Sequence, residues 1–275
     1  MKIFNSIKEM QEFSTSVKRE GKTLAVVPTM GFLHEGHMSL VDIAKKEADT
    51  VVVTIFVNPT QFGPNEDFSK YPRNFERDCH ICEARGVNAI FAPEASEMYP
   101  SAPSTWVVEE SLSKGLCGKS RPVHFRGVTT VVTKLFNAVL PDVAVFGQKD
   151  AQQLAVLTRM TRDLNFPIRI VPGPIVRETD GLAMSSRNKY LSPEERKNAL
   201  SISSSLMKAA SVKFKNTADL RDFIYSRISA ADGKIDYVET VDAETLEPVE
   251  NFGRKVLVAV AAYFGTTRLI DNIII

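Results

Sequence analysis

Cysteine is scarce in this sequence: Cys79, Cys82 and Cys117 are the only three in 275 residues. An odd number cannot pair fully within one chain, which excludes a disulfide scaffold and fits a reducing, cytoplasmic setting. Tryptophan occurs once, at Trp106. An excess of one charge sign is missing as well, since 34 Lys and Arg stand against 33 Asp and Glu. Cutting the chain after residue 176 leaves 20 basic and 19 acidic residues before the cut and 14 of each after it. With no basic arm and no acidic tail, nucleic acid is not expected as the main partner. No run of ~18 apolar residues is present, so no membrane partner is expected. The opening Met-Lys-Ile-Phe-Asn-Ser-Ile-Lys-Glu-Met has no apolar h-region and no small-residue cleavage site, so no secretory leader is expected. Internal repeats and low-complexity segments are absent.

What remains is an average globular composition, 44% hydrophobic and 24% charged, and a regular alternation of patterns. Ser6 and Glu9 have capping-box spacing ahead of a helix that Gly21 stops. Residues 24–27 form a short apolar run, 29–36 a turn, 37–47 an amphipathic helix and 50–57 a β-branched strand. The same unit recurs as helix 73–85 and strand 88–92, helix 128–139 and strand 143–146, and helix 151–164 and strand 168–171. Such alternation predicts an α/β fold with a doubly wound, Rossmann-like parallel sheet. Residues 94–126 are less regular and suggest loops with a small peripheral hairpin. After about residue 176 the order changes. Ser192-Pro193-Glu194-Glu195 reads as an N-cap, N1 proline and capping-box glutamate. Helices at 193–213 and 217–228 precede strands at 234–241, 255–264 and 268–274. The expected organisation is a nucleotide-binding domain over 1–175 and a smaller α+β domain over 176–275 that closes over the site.

In open α/β sheets, ligands bind beyond the carboxyl ends of the strands. Four polar clusters fall in such positions. They are Met30-Gly31-Phe32-Leu33-His34-Glu35-Gly36-His37, Asn58-Pro59-Thr60-Gln61, Gly147-Gln148-Lys149-Asp150 with Gln153 a turn later, and Met184-Ser185-Ser186-Arg187. The first suits phosphate, because a helix start presents free amides and a partial positive charge and two imidazoles add donors. Lys149, Ser185, Ser186 and Arg187 supply the further donors that a polyphosphate needs. Each cluster also has an ordinary reading as a turn, a helix cap or solvated loop. The shared placement at strand ends is what favours a site. His34 and His37 are three residues apart, whereas the metalloprotease pattern needs four. Cys79-His80-Ile81-Cys82 lies inside a helix without a second pair, which favours packed thiols over zinc or redox chemistry.

Together with Leu112–Gly118, residues 128–136, 141–150, Gln152-Gln153-Leu154 and Asn188, these clusters make the chain resemble the pantoate–β-alanine ligase family nearly end to end. The first cluster is similar to the His-x-Gly-His signature of the nucleotidylyl-transferase superfamily. The resemblance implies an ATP-dependent condensation of (R)-pantoate with β-alanine through a pantoyl adenylate, with magnesium. It implies His37 as proton donor, with His34 and Lys149 as catalytic partners. It implies ATP binding by residues 30–37, 147–150 and 184–187 and by Val176. Gln61 and Gln153 carry over as pantoate ligands, with Gln61 and Asn58 also implicated for β-alanine. It further implies a homodimer, and a mobile gate over Gly63–Arg73. Val123 stands where the family resemblance leads one to expect glycine. The rival readings are another nucleotidyl transferase of the superfamily, or a non-catalytic nucleotide-binding domain. Of the first kind, a tRNA synthetase would normally bring an anticodon-binding region and a basic surface, and the second would not need all four clusters.

Overall fold

The computed structural model of the chain describes residues 1–64, 66–101 and 103–275. The elements run β1 (Lys2–Phe4), α1 (Ile7–Arg19), β2 (Leu24–Thr29), α2 (Glu35–Glu47), β3 (Thr50–Ile55), α3 (Phe75–Ala84), β4 (Ala89–Phe91) and α4 (Ala95–Met98). There follow α5 (Leu116–Ser120), α6 (His124–Val139), β5 (Val143–Gly147), α7 (Ala151–Asp163), β6 (Arg169–Gly173), α8 (Pro193–Ala210) and α9 (Thr217–Ser229). The chain ends with β7 (Lys234–Asp242), β8 (Val256–Phe264) and β9 (Thr267–Ile274). Two compact units result. The first comprises Met1–Ser111, Arg121–Gln148 and Gln153–Pro174, and the second Leu112–Ser120, Lys149–Gln152 and Ile175–Ile275. The two short excursions into the second unit carry no change of composition that would mark them in the sequence. No helix among the described residues is long and apolar enough to cross a membrane.

The first unit is built on a parallel six-stranded sheet in the order β1-β4-β3-β2-β5-β6. The strand order reverses at β2, whose neighbours are β3 and β5, which makes the carboxyl end of β2 a topological switch point. Leu24-Ala25-Val26-Val27 is wholly buried because helices cover both faces of such a sheet. Ala25, Val27, Val51, Val53, Ile90 and Val145 pack beneath Met38, Val41 and Ala44 of α2. Each fully buried Val, Leu or Ile contributes about 1.5–3 kcal/mol relative to exposure. Strand register is set at the amino end of β2. Asp49 accepts from the Thr23 N–H and hydroxyl at 2.9 and 2.7 Å, and Asp142 accepts from the Leu24 N–H at 2.8 Å.

The second unit packs α8 and α9 on the antiparallel sheet β7-β8-β9. Ile202, Leu206, Leu220 and Ile224 meet Val258, Val260 and Phe264 in its core. The capping box at α8 forms as its sequence dictates. Ser192 Oγ accepts from the Glu195 N–H at 3.2 Å, and Glu195 accepts from the Ser192 N–H at 2.8 Å. At α1 only half of the motif forms. Ser6 Oγ accepts from the Glu9 N–H at 3.3 Å, but the Glu9 carboxylate takes the Ser6 hydroxyl instead of the Ser6 N–H.

Other departures from the sequence expectations are local. Strand β1 pairs with β4 at the sheet edge, and three residues are too few to show an alternating pattern. Helix α6 starts at His124 rather than Val128, because its first turn is polar and hides the apolar period. Within 94–126 the described residues form the short helices α4 and α5 and no hairpin. The Trp106 segment instead lies along α6, with Thr129 Oγ1 donating to Val107 O at 2.7 Å and Arg126 stacked 4.6 Å over the Trp106 ring.

The Asp49 clamp yields a pH-dependent outcome. Its hydrogen bonds from Thr23 hold its pKa below the ordinary aspartate range. A lowered folded-state pKa means stabilisation that is present above the unfolded value and lost as pH falls through the folded one. Acid unfolding followed by circular dichroism should therefore show a shallower loss of stability below about pH 4 in Asp49→Asn than in the parent chain. Superimposable acid limbs would show that Asp49 does not hold the strand register.

Candidate active site

At the carboxyl end of β2, Thr29 Oγ1 donates to Thr54 O at 2.7 Å and accepts from the Gly31 N–H at 3.1 Å. The chain then turns through two successive left-handed residues, Gly31 at φ +80° and Phe32 at φ +50°. Only glycine adopts this region freely, and a bulky residue there is uncommon. A Cβ on Gly31 would stand 3.0 Å from Ile55 Cγ2 and 3.1 Å from Asp78 Oδ2. The following N–H groups of Phe32 and Leu33 donate to the two oxygens of Asp78 at 2.7 and 2.8 Å. Asp78 is 1% exposed. Its burial pushes its pKa up, against the lowering pull of these N–H groups and of Arg77. Hydrogen bonds to a charged acceptor contribute about 1.5–3 kcal/mol each, which offsets part of the cost of burying the carboxylate.

This turn delivers the chain to α2, which starts at Glu35 rather than His37. His34 is consequently the N-cap and His37 the third helical residue. Their rings lie 4.0 Å apart, tilted by 34°. The His34 N–H donates to His37 Nδ1 at 3.3 Å. With Nδ1 accepting, the proton of the neutral His37 ring sits on Nε2. The Nε2 edge of the ring thereby stands beside the positive end of a 13-residue helix. Met30 and Gly36 flank this turn and are half-buried, while Glu35 is exposed and pairs with Arg85.

At the carboxyl end of β3, Asn58 and Gln61 are both buried. Asn58 Oδ1 accepts from Tyr99 Oη at 2.8 Å and Thr60 Oγ1 at 2.9 Å. Its Nδ2 donates to Gln61 Oε1 and to Gly127 O, each at 3.1 Å. The acceptor end of the Gln61 amide is thereby committed, and its Nε2 faces Met30 Sδ at 3.1 Å. Helix α6 approaches this segment so closely that a Cβ on Gly127 would lie 2.4 Å from Thr60 O and 2.6 Å from Gln61 N and Cα. His124 Nδ1 lies 3.1 Å from Gln61 O.

The remaining sequence candidates divide between the two units. Gly147, Gln148 and Gln153 belong to the first, with Gln153 half-buried on α7. Lys149, Asp150, Val176, Met184 and Ser185–Arg187 belong to the second. Lys149 Nζ is 3.8 Å from Asp150 Oδ2, and the Lys149 carbonyl accepts from Asn272 Nδ2 at 2.9 Å. Met184 N–H donates to Val176 O at 3.0 Å, closing a narrow turn that passes through Gly181 at φ +94°. Ser185 then caps a short 3-10 turn, its Oγ accepting from the Arg187 N–H at 3.3 Å. Asn188 Nδ2 ties that turn to Glu178 and Ala183 O. Gln152, next to Gln153, holds a different role. It spans Leu112 O, Gly115 O and the Cys117 N–H at 2.8, 2.8 and 2.9 Å.

Three further sequence features find physical explanations. Val123 sits at φ −91° and ψ −13°, an ordinary right-handed conformation, and is exposed, so nothing there demands glycine. Cys82 is fully buried in the sheet core and its thiol is pushed up to about 12 by burial, while Cys79 is half-buried. A thiol so raised is not a thiolate at neutral pH. The loop 63–73, of which Asn65 lies outside the described residues, is anchored by Glu66, which takes Arg121 Nε at 3.0 and 3.1 Å. Arg73 closes it from the other side, donating to Tyr71 O and Phe68 O at 2.9 and 3.3 Å. Asp78, Tyr99, Arg121 and Gly127 were not singled out by sequence. Of these, Gly127 would signal as a mid-helix glycine only with the helix start at His124, which the expected helix 128–139 left out.

The chain matches the family model described as pantoate-beta-alanine ligase over residues 2–274. It is 58% identical to the pantothenate synthetase of Thermotoga petrophila over the full length of both chains. To the pantothenate synthetase of Thermotoga neapolitana it is 57% identical, again over both full lengths. Among solved structures, the pantothenate synthetase of Thermus thermophilus superposes with a TM-score of 0.93 at 43% identity, covering 99% of each chain. The pantoate-beta-alanine ligase of Francisella tularensis, complexed with beta-gamma ATP and beta-alanine, superposes with a TM-score of 0.84 at 33% identity, covering 99% of this chain and 97% of that one.

Gly127→Ala tests the close approach behind Gln61. Alanine ordinarily gains ~1 kcal/mol over glycine inside a helix. Here the clash with backbone should outweigh that gain and destabilise the protein by about 1–3 kcal/mol in urea unfolding. Gly115→Ala meets nothing within 4 Å and should stay within about 0.5 kcal/mol of the parent.

Proposed function

From the premise that the chain belongs to the pantoate–β-alanine ligase family, we propose how its own residues carry the reaction. The enzyme condenses pantoate with β-alanine at the expense of ATP. The pantoate carboxylate attacks the α-phosphorus, the bond to the β-phosphate oxygen breaks, and pyrophosphate leaves. The β-alanine amine, as free base, then attacks the acyl carbon of the adenylate. AMP leaves, and the nitrogen releases a proton as the amide forms. A carboxylate is already ionised at neutral pH, so the first step needs alignment and neutralisation of phosphate charge rather than a strong base.

The observation that carries the residue assignments is the locked His37 ring. An imidazole whose Nδ1 already accepts a backbone N–H presents Nε2–H at a helix amino terminus, where negative charge on the α-phosphate develops. His34 stacks on that ring and adds a second donor. Backbone of residues 30–37 and 147–150 and of Val176 cradles the nucleotide. Lys149 contributes a point charge, and Ser185, Ser186 and Arg187 contribute donors to the triphosphate. Gln61 and Gln153 hold pantoate. With Oε1 committed to Asn58, Gln61 offers an N–H, which suits an oxygen acceptor on the substrate. Asn58 serves β-alanine by fixing that amide.

Magnesium accompanies the nucleotide. Among the described residues no three His, Cys, Asp or Glu side chains converge on a metal position. Bound with the nucleotide, the ion would neutralise phosphate charge, and Lys149 and Arg187 would do the same from the protein.

The test is pantoate-dependent exchange of labelled pyrophosphate into ATP without β-alanine. Label should enter ATP only when pantoate is present, and exchange indifferent to pantoate would refute the substrate assignment. In His37→Ala, exchange should fall about 100- to 1,000-fold, the effect of losing one preorganised donor, with the thermal midpoint kept within a few degrees. Near-parental exchange in that variant would remove His37 from the chemistry.

A further inference from the structure

We propose that Asp78 and Arg77, in the first turn of α3, are positioning residues that set where the His34–His37 pair stands and where the triphosphate binds. Successive backbone N–H groups that converge in a turn form a nest, the concavity that ordinarily captures an anion. Here the Gly31-Phe32 turn makes that nest, and the protein fills it itself. Both oxygens of Asp78 occupy it, at 2.7 Å from the Phe32 N and 2.8 Å from the Leu33 N. Arg77 closes the same turn from the outside, donating from Nη1 to Leu33 O at 2.9 Å and lying 5.3 Å over the Phe32 ring. It also stands 3.7 Å from Asp78 Oδ1 and screens the buried charge.

The consequence is a choice of register. An incoming phosphate is excluded from the nest at residues 32–33 by a fixed carboxylate. It is left with the amino end of α2, where His34 and His37 stand. The clamp also bears the strain of Phe32 at φ +50°, a left-handed conformation that a bulky residue keeps only where surrounding structure holds it. His34 follows the clamped residues directly, so a relaxed turn shifts the N–H that fixes the His37 tautomer. Neither residue reaches the reacting atoms; both act through the backbone of 31–34.

This inference rests on the role given to His37, and the experiment separates the two. The full-length protein and its Asp78→Asn and Arg77→Met variants are compared in pantoate-dependent pyrophosphate exchange and by NMR of the histidine ring protons. Asparagine keeps the size of Asp78 but can accept only on one side, so the Leu33 or Phe32 N–H loses its partner. The kcat should fall about tenfold or more, with KM for ATP unchanged or lower because the nest no longer repels phosphate. Arg77 is half-exposed, so Arg77→Met folds even if Asp78→Asn does not, and should lower kcat about two- to fivefold. In both variants the His34 and His37 ring signals should move while those of His124 stay in place. Parental kcat with unmoved His34 and His37 signals in folded variants would overturn the clamp. So would a rise in KM for ATP at constant kcat. If the parent chain shows no pantoate-dependent exchange, the functional reading fails, and the ring signals alone decide whether the clamp stands.

Discussion

Strand β2 is the constraint on which the first unit depends. It is hydrogen-bonded on both sides, to β3 from Leu24 to Thr29 and to β5 at Ala25 and Val26. Two aspartates at its amino end, Asp49 and Asp142, fix that pairing. A one-residue slip would turn Ala25 and Val27 from the α2 side of the sheet to the opposite face. It would also carry Gly31 away from the only geometry in which its turn closes. The position of the turn that carries the histidine pair is thus decided at the far end of a six-residue strand, about 20 Å away at about 3.3 Å per residue, by the bonds that set strand register.

Beyond the end of β2, the satisfaction of backbone groups governs the structure. A sharp turn leaves N–H groups pointing inward, and an inward N–H without a partner costs on the order of 1–3 kcal/mol. Asp78 meets two of them at once, and the charge so buried is held by those same bonds and by Arg77. The segment after β3 solves the same problem differently. Asn58 uses a neutral amide to satisfy Tyr99, Thr60, Gln61 and the Gly127 carbonyl together. A neutral amide makes these bonds without burying a charge. The near-zero net charge of the chain therefore coexists with a few cationic and donor groups concentrated at strand ends.

The order of elements was legible because it follows from periodicity. Buried parallel strands are apolar runs, and the helices between them show one apolar face; the capping box at Ser192 and Glu195 stood in the sequence as it stands in the fold. Failures came where the local signal was short or mixed. Lys2–Phe4 is too brief to alternate, and His124–Gly127 begins a helix with residues that resemble a loop. The candidate clusters were legible in kind because four polar clusters share a placement after the strands, although each by itself reads equally as a turn or cap.

By itself the sequence determined which segments become strands and helices, which residue types meet at the strand ends, and the family to which the chain belongs. Tertiary structure alone decided the atoms. It chose which His37 nitrogen accepts the His34 N–H, which end of the Gln61 amide meets Asn58 and which meets Met30, and that Asp78 fills the turn at Phe32 and Leu33. The reason is separation along the chain. Asp78 lies 45 and 46 residues from its partners, and Gly127 lies 69 from Asn58. Periodicity reports only on neighbours within a few residues, whereas these pairings exist only once the sheet has brought distant segments within hydrogen-bonding distance.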